Sequence, residues 1–255
     1  MRVLTGLALS AAVTLVATAT GVAAADDAGS AGGVGHVAVV QAVPGAAVDV
    51  HIDGRSVGTD VTGGQVLGPY EVAPGRHRID FAASGIDQSV TVNVKADAFH
   101  DVVLHLQESP GAAASVTTYR TPTSPIAAGK ARVLVAHTAA VGAVDVRFDG
   151  QAVFTDVTNG EYAEADVPAG RHVVTLLPAG DSSGPLLGPL DVALAGRTIT
   201  MAYAMGNADD GMTLVVHSLR LADGGSLMPT TIGTGSAGLV GEVIVTPFAI
   251  DSDER

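Results

Sequence analysis

Aspartate is the residue whose spacing first suggests chemistry. Asp49, Asp53 and Asp60 recur as Asp145, Asp149 and Asp156, each displaced by the same 96 positions. Calcium takes several oxygen ligands, and Asp49 and Asp53 fall on one side of an extended chain, so each set offers carboxylates for a Ca²⁺ ion. The same residues have a structural reading. Asp53 and Asp149 precede glycine and suit turns, Asp60 and Asp156 lie between threonines in Thr-Asp-Val-Thr and suit a strand end, and a solvent face is where carboxylates belong. A second recurring pair is Arg76-His77 with Arg171-His172, placed after Pro-Gly and Ala-Gly. Guanidinium beside imidazole suits an anion or a glycan; a partly buried histidine bonded to backbone accounts for the same pattern.

Nothing nominates a nucleophile, so no catalytic residue and no cofactor are expected beyond the calcium reading. The S-x-x-K and H-E-x-x-H patterns are absent, and the strings at 54–58 (GRSVG) and 180–184 (GDSSG) that fit G-x-S-x-G have no following helix to make a nucleophile elbow. Residues 233–238 spell G-x-G-x-x-G, but without the preceding strand and following helix that let backbone amides cradle a pyrophosphate. His100 and His105 are five apart on an extended run, face opposite ways and make no local metal site.

The elements that must position these residues are themselves duplicated. Residues 47–64 read AVDVHIDGRSVGTDVTGG and residues 143–160 read AVDVRFDGQAVFTDVTNG, identical at 12 of 18 positions. Val48, Val50 and Ile52 alternate with Asp49, His51 and Asp53, which is the period of a strand with one apolar face. Asp53-Gly54 and Asp149-Gly150 then supply the pair that a type I′ hairpin turn requires. A regular two-residue hairpin predicts Ile52 opposite Arg55, Val50 opposite Val57, Val48 opposite Thr59 and Val146 opposite Val153.

Further alternating runs follow each hairpin at turn spacings of roughly 8 to 12 residues, about seven strands per copy, and no window keeps a helical period. The fold class is all-β: two tandem immunoglobulin-like or transthyretin-like antiparallel β-sandwich domains. Sandwich one spans residues 36–120, a Pro-punctuated linker 121–129, and sandwich two 130–221. A short linker predicts a semi-rigid tandem pair, each domain with its own core. Residues 222–255 form a Gly-rich tail. Within it residues 239–250 (LVGEVIVTPFAI) are apolar enough for an extra strand, docked on the second domain or offered to another molecule's sheet, and too short and broken to span a bilayer.

Residues 1–25 have the Arg2 start, apolar stretch and Ala-x-Ala end of a secretory signal peptide, and residues 26–35 are a small-residue spacer. With 26 acidic against 13 basic residues the charge is −13, one unit more negative once Arg2 leaves with the leader. Such a chain should not seek nucleic acid or anionic lipid. Cysteine is absent, which excludes disulfides, thiol catalysis and thiolate metal sites. A secreted or extracellular location, possible association with the cell envelope and no transmembrane segment after cleavage are the expectations.

The succession of an apolar strand, AVDV-x-x-DG, TDVT, a VPAG-type turn and an alternating strand resembles the bacterial extracellular family called domain of unknown function 4397. Two tandem copies would cover about residues 34–221. The second copy is the better match: VLVAHT at 133–138 resembles the family's opening strand, whereas the first copy has Gln41 in place of His137. Both copies carry Arg-His after the turn, where the family commonly has Thr-Tyr. The first copy is also similar, less specifically, to the short PEGA-type surface module. The resemblance implies a secreted or surface-attached β-sandwich without an assigned activity. Duplication of a weak site gains avidity, so the expected function is a non-catalytic binding or adhesion module whose partner is an envelope polymer or surface protein. The alternatives are a structural spacer or self-associating surface protein using sheet edges and the C-terminal strand, and a hydrolase built from scattered residues.

Overall fold

The structure, a computed structural model, describes residues 33–109, 111–181, 184–221 and 227–233. The signal-peptide reading, most of the spacer and the apolar segment 239–250 lie outside the described residues.

The first sandwich is built from β1 (Gly35–Ala42), β2 (Ala47–Ile52), β3 (Arg55–Thr62), β4 (Val66–Val72), β5 (Gly75–Ala83), β6 (Ile86–Val94), β7 (Phe99–His105) and β8 (Ser115–Arg120). The second repeats the plan with β9 (Lys130–His137), β10 (Val144–Phe148), β11 (Gln151–Val157), β12 (Tyr162–Pro168), β13 (Gly170–Pro178), β14 (Leu187–Leu194), β15 (Thr198–Asn207) and β16 (Gly211–Leu221). A further strand, β17 (Leu227–Gly233), follows β16. Sheet order is β4-β1-β7-β8 and β3-β2-β5-β6 in the first sandwich, and β12-β9-β15-β16-β17 and β11-β10-β13-β14 in the second. Eight strands per copy replace the seven expected. The sheets are not wholly antiparallel either, because β1 runs parallel to β7 and β9 parallel to β15.

Each sandwich has its own core. Val37, Val39, Val50, Ile79, Phe81 and Leu104 fill the first, and Val133, Val146, Phe148, Val174 and Leu176 the second. A third core joins the two. Val40, Val103 and Tyr119 from the first copy meet Leu134, Met201 and Tyr203 from the second in one buried cluster. The layers therefore run β3-β2-β5-β6, β4-β1-β7-β8, β12-β9-β15-β16-β17, β11-β10-β13-β14. Each copy has the core of its own that was expected, and the shared cluster is added to those two. Fully burying such side chains stabilises by about 1.5–3 kcal/mol each, far more than a short linker contributes to holding two domains together.

The cause is visible in the strands themselves. A strand buried on both faces must be apolar at every position instead of every second one. HVAVVQA in β1 and ARVLVAH in β9 are such runs, and both are buried almost throughout, whereas AVDVHI in β2 buries only alternate residues. The linker is tied down as well. Ile126 enters the shared core, and buried Arg132 grips the Asp166 carboxylate at 2.6 and 3.0 Å while donating to Ser124 O and Oγ at 2.9 and 2.6 Å.

Candidate functional site

The recurring aspartates sit on the two outer sheets, where the hairpins β2–β3 and β10–β11 turn. Asp53 and Gly54 have φ of 51° and 79°, and Asp149 and Gly150 have 51° and 78°, the double positive φ of the expected turn. Ile52 pairs with Arg55 as predicted, but Val50 pairs with Gly58, Val48 with Val61 and Val146 with Phe154. Two extra residues in β3, and two in β11, shift the register.

One of these bulges accounts for four of the six aspartates. Asp60 and Asp156 have φ of 52° and 58° inside their strands, a left-handed conformation that an isolated Asp tolerates better than most residues. Their amides donate to the carboxylates across the ladder: Asp60 N to Asp49 Oδ1 at 3.1 Å, and Asp156 N to Asp145 Oδ1 at 2.9 Å. The recurring spacing of eleven is that of a carboxylate holding a bulge.

The remaining two aspartates meet the recurring histidines. His77 Nδ1 lies 2.7 Å from Asp53 Oδ2 and its Nε2 2.7 Å from Ala73 O, while Arg78 N donates to Asp53 Oδ1 at 2.8 Å. The second copy repeats this with His172, Asp149, Pro168 O and Val173 N at 2.7, 2.8 and 2.9 Å. A carboxylate and a carbonyl both accept, so satisfying both contacts requires an N–H on each ring nitrogen, the imidazolium form. Burial opposes charge on His77, but the Asp53 bond, the Ala73 carbonyl and the Asp53 charge outweigh it and raise its pKa. For His172 the Asp149 bond comes first, and the balance is again upward against burial. Burial works against ionising Asp53, yet the bonds from His77 and Arg78 lower its pKa, and the Val173 amide followed by His172 lowers that of Asp149. Each set is a clasp fastening a hairpin turn to the start of the next strand.

These contacts redistribute the residues singled out from the sequence. The structure brings Asp53 to His77 and Asp149 to His172, a pairing that treating the aspartates and histidines as separate sets had missed. It does not gather Asp49, Asp53 and Asp60, or Asp145, Asp149 and Asp156, into an oxygen cage. Among the described residues no three His, Asp or Glu side chains are grouped to hold a metal ion. Arg76 and Arg171 are exposed and take no part in the clasps. Gln41 and His137, which differ between copies, do the same work: Gln41 Oε1 accepts from Val43 N at 2.7 Å, and His137 Nε2 bonds Gly142 O at 2.9 Å, each pinning the loop into its hairpin.

One constellation escaped the sequence reading altogether. Asp101 of β7 is buried in the shared core, and Tyr203 of β15 donates its hydroxyl to Asp101 Oδ2 at 2.5 Å. His217 of β16 places Nε2 3.2 Å from the same oxygen but off the line of a hydrogen bond, so it lies beside the carboxylate without a directed bond. Burial, then the neighbouring Asp101, pushes the Tyr203 phenol well above its usual range and keeps it a donor. The available signal was an aspartate interrupting the apolar run FHDVVLH.

The model of the family described as Domain of unknown function (DUF4397) matches residues 35–147, all of the first sandwich and the second as far as β10. No curated protein matches the chain. Among the described residues no helix is long and apolar enough to cross a membrane.

Proposed function

We propose, from the match of residues 35–147 to the family described as Domain of unknown function (DUF4397), that the chain is a secreted, non-catalytic binding module of the cell envelope. The observation that carries this reading is the duplication of one clasped hairpin on both outer sheets of a body whose inner sheets share a core. Two like surfaces held at a fixed spacing bind a repetitive polymer or a dense surface protein with more avidity than either alone. The clasps also favour a binding role over a catalytic one. An imidazole with both nitrogens engaged offers no free lone pair to act as a base.

The test is retention of the purified protein on washed envelope from the producing cell, at low and high salt and with and without a calcium chelator. Salt-resistant, chelator-insensitive retention is the expected result. Failure to be retained under every condition would sink the reading. A spacer role is the second reading, favoured by the continuous four-layer stack; it predicts no retention and an unaltered body when Arg76 and Arg171 are replaced.

A further inference from the structure

Edge strands present unpaired N–H and C=O groups, and proteins that stay apart guard them with bulges, prolines or charge. Most edges of this protein are so guarded. The outer strands β3, β4, β11 and β14 each bulge against their neighbours. β6 carries Asp87, β12 carries Glu164 and Asp166, and β17 bulges at Pro229. Among the described residues β8 is the one edge strand with no bulge, no proline and no carboxylate. The equivalent strand of the second sandwich, β16, is covered by β17; β8 pairs only with β7 within its sheet.

The phase of the ladder identifies the free groups. Thr121 N donates to Phe99 O at 3.0 Å, so in the antiparallel alternation Asp101–Tyr119 and Val103–Thr117 are the bonded pairs. Val116, Thr118 and Arg120 then turn their N–H and C=O outward. The Thr118 hydroxyl is buried without a hydrogen-bond partner. Charge selects the occupant. In a chain of net charge −13 no acidic residue occurs between Glu108 and Asp145, so this is an edge at which two acidic copies can approach with few carboxylates of their own to oppose.

We propose that β8 pairs antiparallel with β8 of a second copy across a two-fold axis at Thr118, joining two inner sheets into one. Thr118 faces Thr118 of the partner subunit, where paired threonines hydrogen-bond across strands. Val116 then lies opposite Arg120 of the partner subunit, so no like charges are opposed. The interface is isologous and closes as a dimer. This inference does not depend on envelope binding and can fail without it.

The experiment is light scattering of the full chain over a concentration series, with two variants. Thr118→Pro removes one outward N–H without touching the β7 ladder, as edge prolines do. Thr118→Cys places the sole thiol of a cysteine-free chain on the axis, and unlike proline it asks nothing new of the backbone. The expected results are twice the monomer mass for the parent, a dissociation constant raised at least tenfold by Thr118→Pro, and a covalent dimer of Thr118→Cys under mild oxidation. Deletion of residues 234–255, which spares β17, leaves the dimer intact. A parent that is monomeric throughout overturns the proposal, as does a dimer that neither weakens with Thr118→Pro nor cross-links through the thiol of Thr118→Cys. A dimer lost on the deletion also overturns it and assigns association to the C-terminal stretch.

Discussion

Replacing Tyr203 by Phe tests whether the shared core is specified by its buried polar contact. Tyr203 is 0% and Asp101 2% exposed, and among the described residues the phenol is the only well-directed side-chain donor to Asp101 Oδ2, because His217 is off the bonding line. Hydrogen bonds to charged groups contribute about 1.5–3 kcal/mol, and an orphaned buried acceptor incurs its full desolvation cost. Loss of one hydroxyl removes little packing, so Tyr203→Phe should lower the unfolding free energy by about 2–3 kcal/mol. Asp101→Val alone orphans the phenol and should cost about 1–3 kcal/mol. The double variant removes both polar partners, and in a urea-unfolding cycle it should be more stable than the sum of the single losses allows. A Tyr203→Phe change within about 0.5 kcal/mol of the parent, the range of an ordinary surface substitution, or strict additivity in the cycle, would refute the reasoning.

The clasps predict a pH window. The folded pKa values of His77 and His172 are raised above the unfolded one, so their stabilisation is complete below about pH 6.5 and fades as pH rises through the folded values. Those of Asp53 and Asp149 are lowered, so their part is complete above about pH 4 and fades as pH falls through the folded values. The Tm difference between the parent and a His77→Gln, His172→Gln variant should therefore be widest between about pH 4 and 6.5 and shrink on either side; a difference flat across both limits would contradict the clasp. Arg132→Ala should cost about 2–3 kcal/mol, discounted because Asp166 is one-third exposed, and should speed proteolysis within residues 121–129; an unchanged cleavage rate would count against the linker clamp. Gly206 has φ of 116°, and a Cβ there would overlap the Gly211 carbonyl, so Gly206→Ala should lose more than about 2 kcal/mol in chemical denaturation. Calcium chelation should leave Tm unchanged, and a fall would restore a cation to the aspartates.

The outer sheets were legible in the sequence because their strands solve a one-sided problem. Val48, Val50 and Ile52 face a core and Asp49 and His51 face water, so the pattern writes itself at period two. Asp-Gly gave the turn for the same local reason. The inner sheets were harder to read because burial on both faces erases alternation. HVAVVQA and ARVLVAH say only that no face is wet, and not whether the second face meets its own sandwich or the neighbouring copy. At β3 and β11 the register slip farther from the turn depends on Asp60 and Asp156 adopting a left-handed backbone held by Asp49 and Asp145, contacts between residues eleven apart that strand periodicity does not encode.

The site was half legible, and the division follows distance along the chain. Repetition alone marked the six aspartates and two histidines, since identical spacing in two copies needs a cause. Assigning that cause required knowing that β5 returns beside β2 with Ile52 opposite Ile79, which carries His77 to the turn at Asp53. Once that is known, four of the carboxylates cease to be spare ligands: those of Asp49 and Asp145 each hold a bulge amide, and those of Asp53 and Asp149 each hold a histidine. Asp101 lay beyond reach for a stronger reason. It has no recurring counterpart, since the strand pairings place Met201 at the equivalent position, and its partner Tyr203 is 102 residues away. This buried side-chain contact between the facing inner sheets is therefore carried by what the repeats do not share. An Asp on one sheet and a Tyr on the other favour stacking unlike copies, because two first sandwiches placed face to face would bury Asp101 without its phenol.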